Sequence, residues 1–135
     1  MGYTIRISAK GLFFSDKNEV LLIKGIDGIF WAAPGGGLED GENAIEAVLR
    51  ELTEETGFIG KVETIVFAQD FVNHIGIKQL EIFFKGKIAG QAEQTETDHE
   101  WQFFNQAEFK KIEFKPSELN PFALGKGVPY KPIKS

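Results

Sequence analysis

The chain has 135 residues, 42% of them hydrophobic and 26% charged, which suits a globular domain with one buried core and excludes a disordered segment. A formal net charge of −5 argues against a general binder of nucleic acid, whose non-specific affinity comes from Lys and Arg, but leaves small phosphorylated ligands open where a metal supplies local positive charge. No apolar run is long enough for a bilayer, the N-terminus lacks a signal-peptide core, and zero cysteines exclude disulfides, thiolate metal sites and cysteine nucleophiles, so a cytoplasmic address is expected.

Residues 3–14 alternate loosely and read as a strand, and Ser15-Asp16-Lys17-Asn18 is turn chemistry before the apolar strand 20–23. After a break at 25–28, residues 29–33 form a short strand candidate that ends at Pro34. Pro34-Gly35-Gly36-Gly37 is expected to lie outside any regular element. Residues 43–56 carry the strongest helical signal: Ile45, Val48, Leu49 and Leu52 make one stripe, Asn43 can cap the start and Gly57 can end it. Two further strands, 61–72 and 79–88, meet through Asn73-His74-Ile75-Gly76. A polar loop over 89–100 leads to a last strand at 101–104 and to short helices at 105–112 and 117–124, capped by Asn105 and Ser117. An irregular tail is expected over 125–135, which includes Pro129 and Pro132. No repeat or linker divides the chain. The order of elements predicts a single domain over 1–135, an α+β fold with a mixed sheet covered by helices.

The central helix region is dense in acid: Glu42, Glu46, Glu51, Glu54 and Glu55. With about 100° between successive residues, Glu51, Glu54 and Glu55 fall in a sector roughly 100° wide on one flank of the apolar stripe. Like charges at these spacings repel by a few tenths of a kcal/mol, so something positive is needed between them. A hard divalent cation meets that need, because Mg²⁺ prefers carboxylate oxygens. The plain alternative is a solvated acidic face. Against it stand the position beside the buried stripe, Arg50 among the acids, Glu42 two turns back, and the glycine-rich segment immediately before the helix.

The segment Gly36-x5-Glu42-x7-Arg50-Glu51-Leu52-x-Glu54-Glu55-x-Gly57-Phe58, residues 36–58, resembles the Nudix box of the Nudix (MutT-like) hydrolases. Phe58 is the one departure, at a position where the pattern carries an aliphatic residue. Looser similarity extends to 20–24, to Trp31-Ala32-Ala33-Pro34 and to Trp101-Gln102-Phe103-Phe104. The resemblance implies an α/β/α sandwich around a mixed β-sheet. It also implies hydrolysis of a nucleoside diphosphate linked to another moiety, using Mg²⁺ or Mn²⁺. By position, Glu51, Glu54 and Glu55 would bind metal together with the Gly35 carbonyl. Glu51 and Glu54 would take part in catalysis, Arg50 would orient a catalytic glutamate, and Glu42 would hold Arg50. The group that takes the proton from water is left open between Glu51 and an acid of the 93–100 loop (Glu93, Glu96, Asp98 or Glu100).

Lys24 ends a strand where relatives carry a phosphate-binding basic residue, and is a substrate-binding candidate or an ordinary exposed lysine. His74 and His99 are isolated, and Trp31 or one of thirteen phenylalanines could stack on a base. The expected partner is a small nucleotide-type molecule, first of all a (deoxy)nucleoside triphosphate, intact or oxidised. Membrane and nucleic-acid partners are not expected; a homodimer is left open. The rival reading is a non-catalytic, Nudix-like sensor of nucleotide derivatives.

Overall fold

The computed structural model describes residues 4–25, 28–93 and 99–132. In chain order the elements are β1 (Ile5–Phe14), β2 (Val20–Lys24), β3 (Trp31–Ala32), β4 (Gly35–Gly37), α1 (Ala44–Thr56), β5 (Phe58–Val72), β6 (Lys78–Gln91), β7 (Trp101–Phe104), α2 (Gln106–Phe109) and β8 (Phe114–Lys115). One sheet runs in the order β5-β6-β1-β2-β3-β8, with β4 paired to β1 and β7 to β2. β1 and β6 are parallel from Ile5↔Lys78 to Phe14↔Lys87, whereas β5–β6 and β1–β2 are antiparallel, so the sheet is mixed. Among the described residues no helix is long and apolar enough to cross a membrane.

Strand alternation divides the core in two. Ala9, Phe13, Leu21 and Phe84 face α1 and pack with its Ala47, Val48 and Leu52. Their neighbours Leu12, Phe14, Val20, Leu22 and Phe83 face the opposite way, where Phe109, Ile112, Phe114, Leu119 and Phe122 cover them. The result is the α/β/α sandwich that the resemblance implies. Turn chemistry sets its register. Ser15 Oγ accepts from the amides of Lys17 and Glu19, both at 3.3 Å. Asn73 Oδ1 accepts from Ile75 and Ile77 at 3.1 and 3.0 Å and closes the β5–β6 hairpin with Gly76 at φ 83°.

Several expectations need correction. The glycine segment is a strand: β4 pairs antiparallel with β1 through Ser8↔Gly37, Ala9↔Gly36 and Lys10↔Gly35. Glycine suits this place for lack of bulk, because β4 is pressed between β1 and the acids of α1. Residues 117–124 form turns, not a helix, since Pro121 removes an amide donor and Asn120 Oδ1 instead accepts from Phe122 N at 2.9 Å. α2 is only four residues long. β6 continues to Gln91, into the stretch expected to be loop. The tail is irregular but anchored, with a bridge between Ile65 and Val128 and with the Tyr130 ring against Phe84 at 5.3 Å.

Candidate active site

α1 is fixed at both ends by its own sequence. Asn43 Oδ1 accepts from Glu46 N at 2.9 Å while Glu46 Oε1 accepts from Asn43 N at 3.0 Å, a reciprocal capping box. Glu46 is therefore a capping acid and stands apart from the other carboxylates. Gly57 ends the helix at φ 83°, a left-handed conformation open to glycine. Tyr130 Oη accepts from Ala44 N at 3.2 Å and satisfies a first-turn donor that no helical carbonyl can reach. The buried face contains Ala44, Ala47, Val48, Leu52, Glu55 and Thr56, while Ile45 and Leu49 are half-buried. The helix is thus rotated from the expected stripe, and the rotation carries Glu55 inward.

Arg50 organises the remaining acids. Its Nε and Nη2 grip Glu42 at 2.7 and 3.1 Å in a bidentate fork. Nη1 reaches Glu51 Oε1 at 2.8 Å and Glu54 Oε2 at 3.1 Å, and Nη2 also donates to Gly37 O at 3.2 Å. Hydrogen bonding to Glu42 above all, then to Glu51 and Glu54, raises the Arg50 pKa against the opposing effect of burial. In return the Arg50 hydrogen bond lowers the pKa of Glu42, aided by the Glu39 amide. Glu51 and Glu54 converge, as the helical spacing predicts, but on Arg50 Nη1.

Glu55 lies apart from this node. It is 7% exposed, and its Oε1 accepts from Gly35 N at 2.8 Å. Burial pushes its pKa up from 4.5 to about 7; the Gly35 amide and then Lys10 pull the other way. β4 permits this close fit. Gly35 has φ 148°, and a Cβ there would collide with Ala9 O; at Gly36 a Cβ would lie 2.9 Å from Glu51 Cδ. The Gly35 carbonyl accepts from Lys10 Nζ at 3.4 Å.

The donors gathered here are carboxylate and carbonyl oxygens, the chemistry that suits Mg²⁺ or Mn²⁺. Among the described residues no three acidic or histidine side chains already stand together as a cation cluster. Arg50 lies between Glu51 and Glu54, and the Glu54 carboxylate, 57% exposed, has solvent space to turn on release from Arg50. The oxygen set therefore fits a hard divalent cation through side-chain rotation.

Other candidates are more scattered. Lys24 Nζ lies over the Trp31 ring at 4.6 Å, and its backbone amide donates to Glu100 O at 2.8 Å. His99 Nε2 approaches Glu55 Oε2 to 3.9 Å, and among the described residues its buried Nδ1 has no partner. Of the loop acids, Glu96 and Asp98 lie outside the described residues. His74 sits in the β5–β6 turn. Phe58 packs edge-on against Trp101 at 5.0 Å and Phe103 at 5.3 Å, which accounts for an aromatic residue at that position.

A cavity of about 670 Å³ opens on the face of the sheet opposite α1, with Lys10, Phe30, Gln69, Phe71, Glu81 and Phe83 among its lining residues. Lys10 both lines it and reaches Gly35, joining the cavity to the acidic helix. Lys10, Gln69 and Glu81 are absent from the sequence-derived site. The available signal was a lone acid within Leu80-Glu81-Ile82-Phe83-Phe84, and a lone lysine among the small and apolar residues 7–14.

The family model described as the NUDIX domain matches residues 4–124. An ADP-ribose pyrophosphatase of Methanocaldococcus jannaschii is 33% identical over 118 residues, 84% of this chain and 69% of that protein. An RNA pyrophosphohydrolase of Dinoroseobacter shibae is 41% identical over 66 residues, 47% of this chain and 41% of that protein. A solved NUDIX hydrolase from Nitrosomonas europaea superposes with a TM-score of 0.71 at 23% identity, over 81% of this chain and 78% of that one, a likeness of fold.

Proposed function

Since the chain belongs to the Nudix hydrolase family, we propose that it hydrolyses a phosphoanhydride in a nucleoside diphosphate linked to a further group, with Mg²⁺ or Mn²⁺ as cofactor. The observation that carries this reading is the Arg50 node, in which one guanidinium holds Glu42, Glu51 and Glu54 beside the glycine strand. Relatives named a pyrophosphatase and a pyrophosphohydrolase support the reaction class.

Glu51, Glu54, Glu55 and the Gly35 carbonyl would hold the cation. When bound, it neutralises phosphate charge, polarises the phosphoryl oxygen and lowers the pKa of a coordinated water. The protein's own part is positioning. Glu42 anchors Arg50, and Arg50 restrains Glu51 and Glu54. Because Glu51 Oε1 is engaged by Arg50, Oε2 is the oxygen left to bind the cation, and the proton of the attacking water would pass either to Glu51 after it leaves the cation or to an acid of the 93–100 loop. Lys10, between the cavity and Gly35, meets the phosphates. The cavity is of a size that takes a nucleoside. The substrate we propose is a (deoxy)nucleoside triphosphate, intact or oxidised.

The test is ³¹P NMR of a nucleotide panel incubated with the purified chain and Mg²⁺ or Mn²⁺. Metal-dependent appearance of a nucleoside monophosphate is expected. No cleavage of any nucleoside diphosphate derivative would overturn the proposal.

A further inference from the structure

Gln69, Glu81 and Ser8 form one cross-strand row, because β5 pairs Gln69 with Glu81 and β1 pairs Ser8 with the same residue. Glu81 is 9% exposed and Ser8 4%. Gln69 Nε2 donates to Glu81 Oε1 at 3.1 Å, and Ser8 Oγ donates to Oε2 at 3.4 Å. Gln79 Nε2 donates to Ser8 Oγ at 3.0 Å, leaving the hydroxyl proton for Glu81. All these donors are neutral. Among the described residues Glu81 has no ion pair, and two neutral donors offset only part of the cost of burying a carboxylate.

A carboxylate offers about four acceptor positions, and the row fills one on each oxygen. Glu81 lines the cavity together with Phe30, Phe71 and Phe83, so a ligand there meets aromatic rings and a pair of acceptor oxygens. We propose that Glu81 is a specificity-determining residue that selects a purine presenting two adjacent N–H donors, as the N1–H and 2-amino groups of guanine do. Adenine sets its N1 acceptor against the carboxylate, and hypoxanthine offers the N1–H without the 2-amino group. Gln69 and Ser8 hold the two oxygens toward such an edge. This assignment rests on the reading of the chain as a nucleotide hydrolase, and it names the class of base that the hydrolase takes.

The test is calorimetric titration of the full chain, in Mg²⁺, with GMP, IMP and AMP, repeated on Glu81→Gln. The wild type should bind GMP at least about tenfold more tightly than IMP, the scale of one charge-assisted hydrogen bond. In Glu81→Gln the ratio should fall to within about threefold, since an amide offers a single acceptor oxygen. Equal affinities for GMP and IMP in the wild type would overturn the assignment, as would an unchanged ratio in the variant. The wild-type comparison decides the matter even if the variant does not fold. GTP and ITP turnover, measured alongside, separates the two proposals. A GMP preference with no turnover of GTP or ITP retires the nucleoside triphosphate as substrate and keeps the base assignment; equal turnover without a preference does the reverse.

Discussion

Arg50 has five N–H donors, and the fork to Glu42, the contacts to Glu51 and Glu54 and the bond to Gly37 O occupy them. A lysine has three donors and no planar fork, so Arg50→Lys should lower kcat/KM by about 10–100-fold, the usual cost of disturbing a group that orients metal ligands. An activity assay within twofold of wild type would show that the node does not organise the site. Glu55 makes a prediction in pH. Its folded pKa is about 7 against 4.5 for the free group, with burial as the main cause, so the folded protein keeps a proton that the unfolded chain loses. Stability therefore falls as pH rises from 4.5 to 7, and the full deficit, roughly 3 kcal/mol, is present above that window. In chelator-treated protein, the melting temperature of wild type minus that of Glu55→Gln should decline across this range and then level off. A difference that does not vary with pH would contradict the burial of Glu55 as described. At this scale helical spacing marks Glu51 and Glu54, and the resemblance to the Nudix box adds Glu42 and Arg50. The sequence could not show that Glu55 turns inward, because that depends on how far α1 is rotated against β4.

α1 was readable with both of its caps, since Asn43, Glu46 and Gly57 act through local backbone geometry. β4 was not, because glycine carries no periodic signal and its pairing with β1 is a long-range contact. The helix is held mainly by its buried face. Leu52 is fully buried, and Leu52→Ala should cost about 2–5 kcal/mol by denaturant unfolding; no loss of stability would mean that α1 is turned otherwise. The tail contributes at the opposite end of the helix. Tyr130→Phe removes the acceptor of the Ala44 amide and should cost about 1 kcal/mol, with the ring contact to Phe84 kept. A change below 0.3 kcal/mol, well under the usual worth of a hydrogen bond, would argue that the tail does not cap the helix.

Across the whole molecule, the order of strand- and helix-like segments foretold a mixed sheet covered by helices, and the motif told which family of folds would supply it. The parallel pairing of β1 with β6, which aligns Ser8 with Glu81 and puts Lys10 beside the cavity, lies between segments some seventy residues apart and leaves no local trace. The sequence therefore located the acidic helix and missed the cavity across the sheet from it. In the proposed reaction this helix makes hydrolysis depend on a divalent cation. That dependence is tested most directly by measuring nucleoside triphosphate turnover in Mg²⁺ and in excess chelator, for wild type and Glu54→Gln side by side. Chelator should abolish turnover, and Glu54→Gln should lower it by more than about a hundredfold, beyond the cost of losing an outer supporting group. Turnover that survives chelation, or a Glu54→Gln variant as active as wild type, would contradict that dependence.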